Sequence, residues 1–401
     1  MSDAQRVVIV GGGPAGMIAG LLFARAGVST LVLEKHADFL RDFRGDTVHP
    51  STLDLFDELG LLDALLALPH DKVSDVEAVI GGRAYAIADF SHLPGRGRFI
   101  AMMPQWHFLN FVAAEARKLP DFILRMEAEA VGVVSTGGRV AGVRLAGGEA
   151  IPARLVIAAD GRRSMLRDAA ALPLDDLGAP IDVFWFRVSK RPTAKNQTQG
   201  YLGGGQMVVV IDRGDYFQCA RVIAKGTADR VRARGLDVFR AEVAATAPVL
   251  AEGITAIGSW DDVKLLTVAL DRLIRWSTPG LLAIGDAAHA MSPVGGVGIN
   301  LAVQDAVAAA NILAGPIAAG ADPDPLLARV QARRMLAVRV IQGLQRMIHR
   351  TVIGAAINNT TVTAPLPVRL LDAAPLLRRI PARVLGLGVR REHIRSPAKR
   401  G

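Results

Sequence analysis

Three glycines, Gly11, Gly13 and Gly16, stand between the β-branched run Val7–Val10 and an apolar segment that continues to about Ala26. In a strand–turn–helix, the first glycine of G-x-G-x-x-G permits a tight turn. The second lets backbone approach a pyrophosphate, and the third lets helix and strand pack closely. With Pro14 and Ala15 in its first turn, the helix offers N–H groups and a positive dipole end to phosphate oxygens. Glu34, followed by Lys35, closes the next apolar run, "STLVLE", where a carboxylate accepts hydrogen bonds from an adenosine ribose. Together these residues read as a dinucleotide site and leave NAD and FAD undistinguished.

Two more carboxylates follow apolar runs. Asp286 comes after "LLAIG", at the carboxyl end of a strand where ligands gather in α/β sheets, and there it can accept hydroxyl hydrogen bonds from a polyol chain. Gly295, Gly296 and Gly298 let backbone reach a flat ligand, and a helix beginning near Asn300 points its dipole the same way, with Asn300 read as its cap. Asp160, in "AADGRRSMLR", fits either an Asp-Gly turn with a serine N-cap or a part of the same site. His289 reads as a packed helix residue rather than a base. His49, beside Pro50, reads as a helix-start residue or as part of the ligand-facing wall. Trp185, Tyr201, Tyr216 and Phe217 suit a sheet core or an apolar pocket wall.

The elements that must position these groups follow a recognisable order. A β–α–β unit occupies the first thirty or so residues, as a parallel sheet requires. "HPSTLDLFDELGLLDALL" and "PQWHFLNFVAAEARKL" read as helices, and "STGGRV" and "LAGGEA" as hairpin turns in a meander from Phe122 to Ile157. Between about Pro180 and Thr267, runs such as "IDVFWFRV" and "DYFQCARVI" predict an antiparallel sheet. "PGLLAIGDAAH" then returns to the first style, with helices through about Arg350.

Composition narrows the class. A chain of 401 residues accommodates two or three domains, at about 100–200 residues each. Hydrophobic residues at 51% and charged residues at 21% exclude a disordered chain. No apolar run is expected to reach the roughly 18 residues that cross a bilayer, and the N-terminal apolar stretch reads as mature structure rather than a leader. The single cysteine, Cys219, excludes an internal disulfide, no Cys/His cluster suggests a metal, and a reducing cytoplasm fits. Net charge is +9, and residues 366–401 hold nine Arg and Lys against Asp372 and Glu392. That segment reads as a solvated face packed on the rest, or as a weak contact with an anionic surface such as a membrane. Nucleic acid is not expected, because no aromatic-interleaved basic groove accompanies the charge.

The glycine turn with Glu34, the Asp160–Gly161 motif and "GDAAHAMSPVGGVGIN", in this order, resemble the class A flavoprotein monooxygenases, the para-hydroxybenzoate hydroxylase family, from about Val7 to Arg350. The resemblance implies an α/β (α+β) chain. A Rossmann-like FAD-binding domain (1–75, 100–180 and 268–350) is interrupted by an antiparallel substrate-binding sheet (76–99 and 181–267), with a C-terminal helical segment (351–401). It implies FAD on Gly11–Gly16 and Glu34, with Asp286 on the ribityl chain and the 295–300 backbone, Ile299 included, at the flavin's pyrimidine edge. Arg44, Gln105, the backbone of Ala130 and Asp160 are further implied FAD contacts, the last also tied to NAD(P)H. Asp46 to Val48 would lie near the ring, and Thr47, His49, Trp185, Tyr201, Phe217 and Pro293 near the substrate.

The implied reaction uses NADH or NADPH and O2 to hydroxylate an aromatic or polycyclic small molecule through a flavin C4a-hydroperoxide, in a monomer or homodimer. The flavin carries the chemistry, so no catalytic acid or base is assigned. Rivals are a flavin-dependent reductase or oxidase of a prenyl or quinone-like substrate, and a non-catalytic binding protein. The missing "GWxWxIP" signature argues against a halogenase.

Overall fold

The computed structural model describes residues 5–40, 46–190, 198–350 and 363–399. Its central sheet runs in the order Ser277–Thr278, Leu281–Ala283, Leu155–Ala158, Val7–Val10, Thr30–Leu33 and Phe122–Arg125, parallel throughout except for the Ser277–Thr278 edge. The inner strands are buried along their whole length, as strands covered on both faces must be. Chain order departs from sheet order because Val7–Val10 pairs with Thr30–Leu33 on one side and with Leu155–Ala158 on the other.

Glycine sets how closely this sheet meets its helices. A Cβ at Gly16 would collide with the Gly11 carbonyl oxygen, so only glycine lets helix Pro14–Arg25 lie this close to the strand end. Gly11 holds φ +109°, and a Cβ there would strike the Ala159 carbonyl just past the end of the neighbouring strand. The apolar helix Gly298–Ala318 packs against Pro14–Arg25, and Asp324–Ile348 packs outside it.

A second sheet of seven strands runs Lys264–Leu266, Ile181–Ser189, Tyr216–Ala224, Gln206–Asp212, Gln199–Gly203, Asp75–Ile80 and Arg83–Asp89. It is antiparallel apart from the pairing of Gln199–Gly203 with Asp75–Ile80. The two-residue period of its strands gives it two apolar faces. One carries Phe184, Phe186, Phe217 and Cys219 against helix Leu236–Thr246. The other carries Val183, Trp185, Met207, Val209, Ala220 and Val222, and packs toward Val294 of the central domain.

Several expectations are met in detail and others are corrected. The Gly137–Gly138 turn joins two strands of the Ala130–Thr136, Arg139–Leu145, Ala150–Pro152 meander. "HPSTLDLFDELGLLDALL" forms two helices, Pro50–Glu58 and Leu62–Leu66, because Gly60 at φ +72° ends the first. By length and composition the helical stretch Val294–Ala318 does qualify as a bilayer span, contrary to the sequence expectation. However, 78% of its apolar window is buried inside the fold, which makes it a core helix. Residues 366–399 lie across the central domain and the Arg83–Asp89 edge of the second sheet.

The Gly16–Gly11 approach yields a direct test. Gly16→Ala should cost about 3 kcal/mol or more, since neither partner is a flexible side chain that can yield. Chemical denaturation checks this; a stability equal to that of the parent chain would contradict the packing described.

Candidate functional site

Two helix starts define the site. Helix Pro14–Arg25 has Gly13 as its N-cap residue and no side-chain cap, so the N–H groups of Ala15 and Gly16 have no acceptor within the helix. A Cβ at Gly13 would meet nothing within 4 Å, leaving a cradle open in front of those donors. Helix Gly298–Ala318 likewise starts without a side-chain cap. Between them lies Gly285, at φ +61°, where a Cβ would sit 3.0 Å from the Ala15 Cβ and 3.3 Å from the Ala302 Cβ. The next residue, Asp286, is therefore carried to the junction of both starts. Its side chain is 31% exposed and pairs with Arg162 Nη2 at 3.3 Å, while Arg162 Nη1 is buried without a partner.

A buried network fixes that junction. Asp305, fully buried in helix Gly298–Ala318, accepts the Gly285 N–H at 3.1 Å, His289 Nε2 at 2.5 Å and Arg334 Nε at 2.9 Å. Burial opposes its charge, but His289 and Arg334 together outweigh burial and hold the carboxyl below the ordinary range. His289 is thus packed and hydrogen-bonded, against the Trp276 ring at 5.1 Å.

Glu34 sits at the mouth of the glycine turn. It accepts the Gly12 N–H at 2.8 Å and the His36 N–H at 3.1 Å, and Ala128 donates its N–H to the Glu34 carbonyl. That last bond places Ala128, two residues before the buried Ala130, beside Glu34, while Lys35 is exposed. Asp160 supports a local turn: its carboxylate accepts Ser164 Oγ at 2.5 Å and the Leu166 N–H at 3.2 Å, ahead of helix Met165–Ala169. Burial raises its carboxyl above the usual range, and those donors offset part of the rise.

The glycine loop at 293–298 is held from three sides. Thr47 Oγ1 donates to the Gly296 carbonyl at 2.8 Å, and His49 Nε2 lies 3.1 Å from the same oxygen. Gln345 Nε2 donates to the carbonyls of Ser292 and Val294 at 2.9 and 3.0 Å, and its Oε1 accepts the Ser292 N–H. Leu385 closes the third side, since a Cβ at Gly295 would lie 3.1 Å from its Cδ2. Pro293 precedes the short 3-10 turn Val294–Gly296, and Ile299 is partly buried in the first turn of the helix. Gln105 begins helix Gln105–Ala116 with its N–H on Asp46 Oδ1, and Asp46 also pairs with the buried Arg213.

Three sequence expectations change here. The helix begins at Gly298 with Val297 as its N-cap residue, and Asn300 does not cap it. The Asn300 Oδ1 instead accepts Ser51 Oγ at 2.7 Å and Thr52 Oγ1 at 2.8 Å, tying the helix to Pro50–Glu58. Tyr201 and Phe217 lie on the helix-covered face of the second sheet, packed with Phe239, while Trp185 lies on the face toward Val294, and the strand pairing puts Tyr216 on the same side as Trp185. Strand alternation, invisible without knowing which face is covered, decides this. Arg44 lies outside the described residues. Gln345, Arg213 and Leu385 went unsuspected because isolated polar or apolar residues far along the chain carry no local signal.

The FAD binding domain family model matches residues 4–343. Over 383 residues the chain is 30% identical to 6-methylpretetramide 4-monooxygenase of Streptomyces rimosus, covering 94% of this chain and 91% of that protein. Dialkyldecalin synthase of Streptomyces rugosporus is 26% identical over 77% of this chain, which spans only 64% of that longer protein. In fold, the chain is similar to PqsL from Pseudomonas aeruginosa, a probable FAD-dependent monooxygenase (TM-score 0.74, 21% identity, 88% of this chain and 96% of that one). It is also similar to the tetrameric form of 2-methyl-3-hydroxypyridine-5-carboxylic acid oxygenase (TM-score 0.73, 19% identity, 97% and 98%). The chain belongs to this FAD-binding monooxygenase family, as its three ordered motifs imply. It is a flavoprotein hydroxylase with FAD as its cofactor.

His49 gives the site a pH dependence. Its ring is fully buried between the Gly296 carbonyl and the Leu385 carbonyl, 2.8 Å from Nδ1. A neutral imidazole has one N–H, so it can donate to only one of them. Burial lowers its pKa to about 4, and the two carbonyls offset only part of that. The unfolded chain therefore binds the proton first as pH falls. Stability from neutral His49 is complete above about 6.5 and lost progressively down to about 4. The difference amounts to about 3 kcal/mol. In denaturation at several pH values, the stability gap between the parent and His49→Gln should shrink by this order across that window. A gap constant with pH would contradict the assignment.

Proposed function

We propose that FAD lies across the two uncapped helix starts. Its pyrophosphate meets the Ala15 and Gly16 N–H groups over Gly13, with Glu34 on the adenosine ribose and the Ala130 backbone beside the adenine. Asp286 takes the ribityl hydroxyls, and the 295–300 backbone faces the pyrimidine edge. The observation that carries this reading is the junction itself, where two helices with unsatisfied N–H groups flank one carboxylate on a glycine hinge. The residues present suit the group: open space at Gly13, an acceptor at each hydroxyl-bearing part and donors at the phosphates.

When bound, FAD supplies two-electron chemistry and activates oxygen. NADH or NADPH provides the electron pair, and O2 is the co-substrate; one oxygen atom enters the product and the other leaves as water. The positive pole of helix Gly298–Ala318 favours negative charge at the pyrimidine edge. Thr47 fixes the Gly296 carbonyl, and Gln345 fixes those of Ser292 and Val294, so this edge is set before ligand arrives.

The substrate is an aromatic or polycyclic small molecule placed between the glycine loop and the sheet face bearing Val183, Trp185, Met207, Val209, Ala220 and Val222. That face is apolar, and the Trp185 Nε1–H on it is buried without an acceptor, which suits a flat ligand with an oxygen acceptor. Support comes from relatives named for oxygenating 6-methylpretetramide, rifampicin and 4-methyl-5-nitrocatechol.

The test is turnover of polycyclic phenols with FAD, NAD(P)H and oxygen-18 gas. The expected product carries one labelled oxygen, and Asp286→Ala should purify without flavin and without activity. Reduced product without label would point to a reductase, and a flavin-loaded, active Asp286→Ala would overturn the placement of FAD.

A further inference from the structure

We propose that the outer face of residues 366–383 docks on an anionic phospholipid surface. Two helices and a 3-10 turn make this face: Leu366–Ala373, Pro375–Arg378 and Arg379–Gly386. Their inner sides are occupied. Val368 packs on the Ile80–Leu202 cluster, Ala382 on the Phe90–Leu93 cluster, and Leu385 on Gly295 of the glycine loop. Their outer sides present Leu366, Leu370, Leu376 and Ile380, between 50% and 68% exposed. Four large aliphatic side chains this open, grouped on consecutive helices, form a patch of the kind that marks an interaction surface rather than scattered exposure.

Charge identifies the partner. Arg369, Arg379 and Arg383 are exposed among those leucines, and none makes an ion pair among the described residues. The one acid between residues 363 and 391, Asp372, is committed elsewhere: it accepts Arg83 Nη2 at 3.3 Å and the Ala86 N–H at 3.2 Å. A second copy of the chain is disfavoured, because a two-fold contact would set this acid-poor, arginine-bearing face against itself. Exposed leucines flanked by unpaired arginines suit a surface with apolar depth and negative headgroups. The same helix that would meet the lipid holds the glycine loop through Leu385, so docking would bring the flavin-side cleft close to a reservoir of apolar substrate.

Sedimentation of the flavin-loaded full chain with phosphatidylcholine vesicles, with and without phosphatidylglycerol, tests this. Binding should require phosphatidylglycerol and fall with salt. It should weaken about tenfold or more in Arg379→Glu/Arg383→Glu, and Leu376→Ser/Ile380→Ser should also weaken it while retaining flavin. Absence of binding, or binding unaffected by both double variants, would overturn the proposal. So would a dimer in light scattering that Leu376→Ser/Ile380→Ser dissociates, which would assign the face to a second copy.

Discussion

One buried carboxylate holds the functional geometry together. Asp305 joins helix Gly298–Ala318 to the Gly285 backbone, to His289 and to Arg334 on helix Asp324–Ile348. Arg334 Nη1 reaches Glu392 Oε1 at 3.6 Å, and the Glu392 N–H donates to Gln304, so the C-terminal tail joins the same cluster. Moving such charges out of water is costly, and a well-packed apolar set of equal volume would often be as stable. What the network adds is position. It places the Gly285 turn, and with it Asp286, against the helices that carry Ala15 and Ala302.

Close backbone contact is the second constraint. Gly11, Gly16 and Gly285 have no room for a side chain, while Gly13 has an empty space before it. Three glycines thus bring strand and helix together and the fourth leaves room for a ligand. The 293–298 loop follows the same logic with different means. The Gly296 carbonyl is satisfied by Thr47, and those of Ser292 and Val294 by Gln345, so the shape of the loop does not depend on a ligand.

The parts legible in the sequence were those whose cause is local. The glycine turn, the acid at the end of the second strand, the hairpin glycines and the switch from helical to alternating periodicity all act within a few residues. The turn that carries Asp286 just past the Leu281–Ala283 strand was legible for the same reason. What needed the fold was anything set by which face a strand covers or what lies opposite in space. Tyr201 and Phe217 differ from Trp185 only in strand parity relative to a helix layer. Asn300 looked like a cap because it begins an apolar helix, yet Ser51 and Thr52, about 250 positions earlier, claim its side chain. Asp160 performs the local task its Asp-Gly-x-x-Ser spacing suggests.

The dependence of the cofactor site on Asp305 is tested most directly by titrating FAD into Asp305→Asn, with affinity read from flavin fluorescence. The amide removes the charge that compensates Arg334 and loosens Gly285, so FAD affinity should fall about tenfold or more, with a clear loss of thermal stability. A variant that binds FAD as tightly as the parent chain would contradict the central place given to this carboxylate.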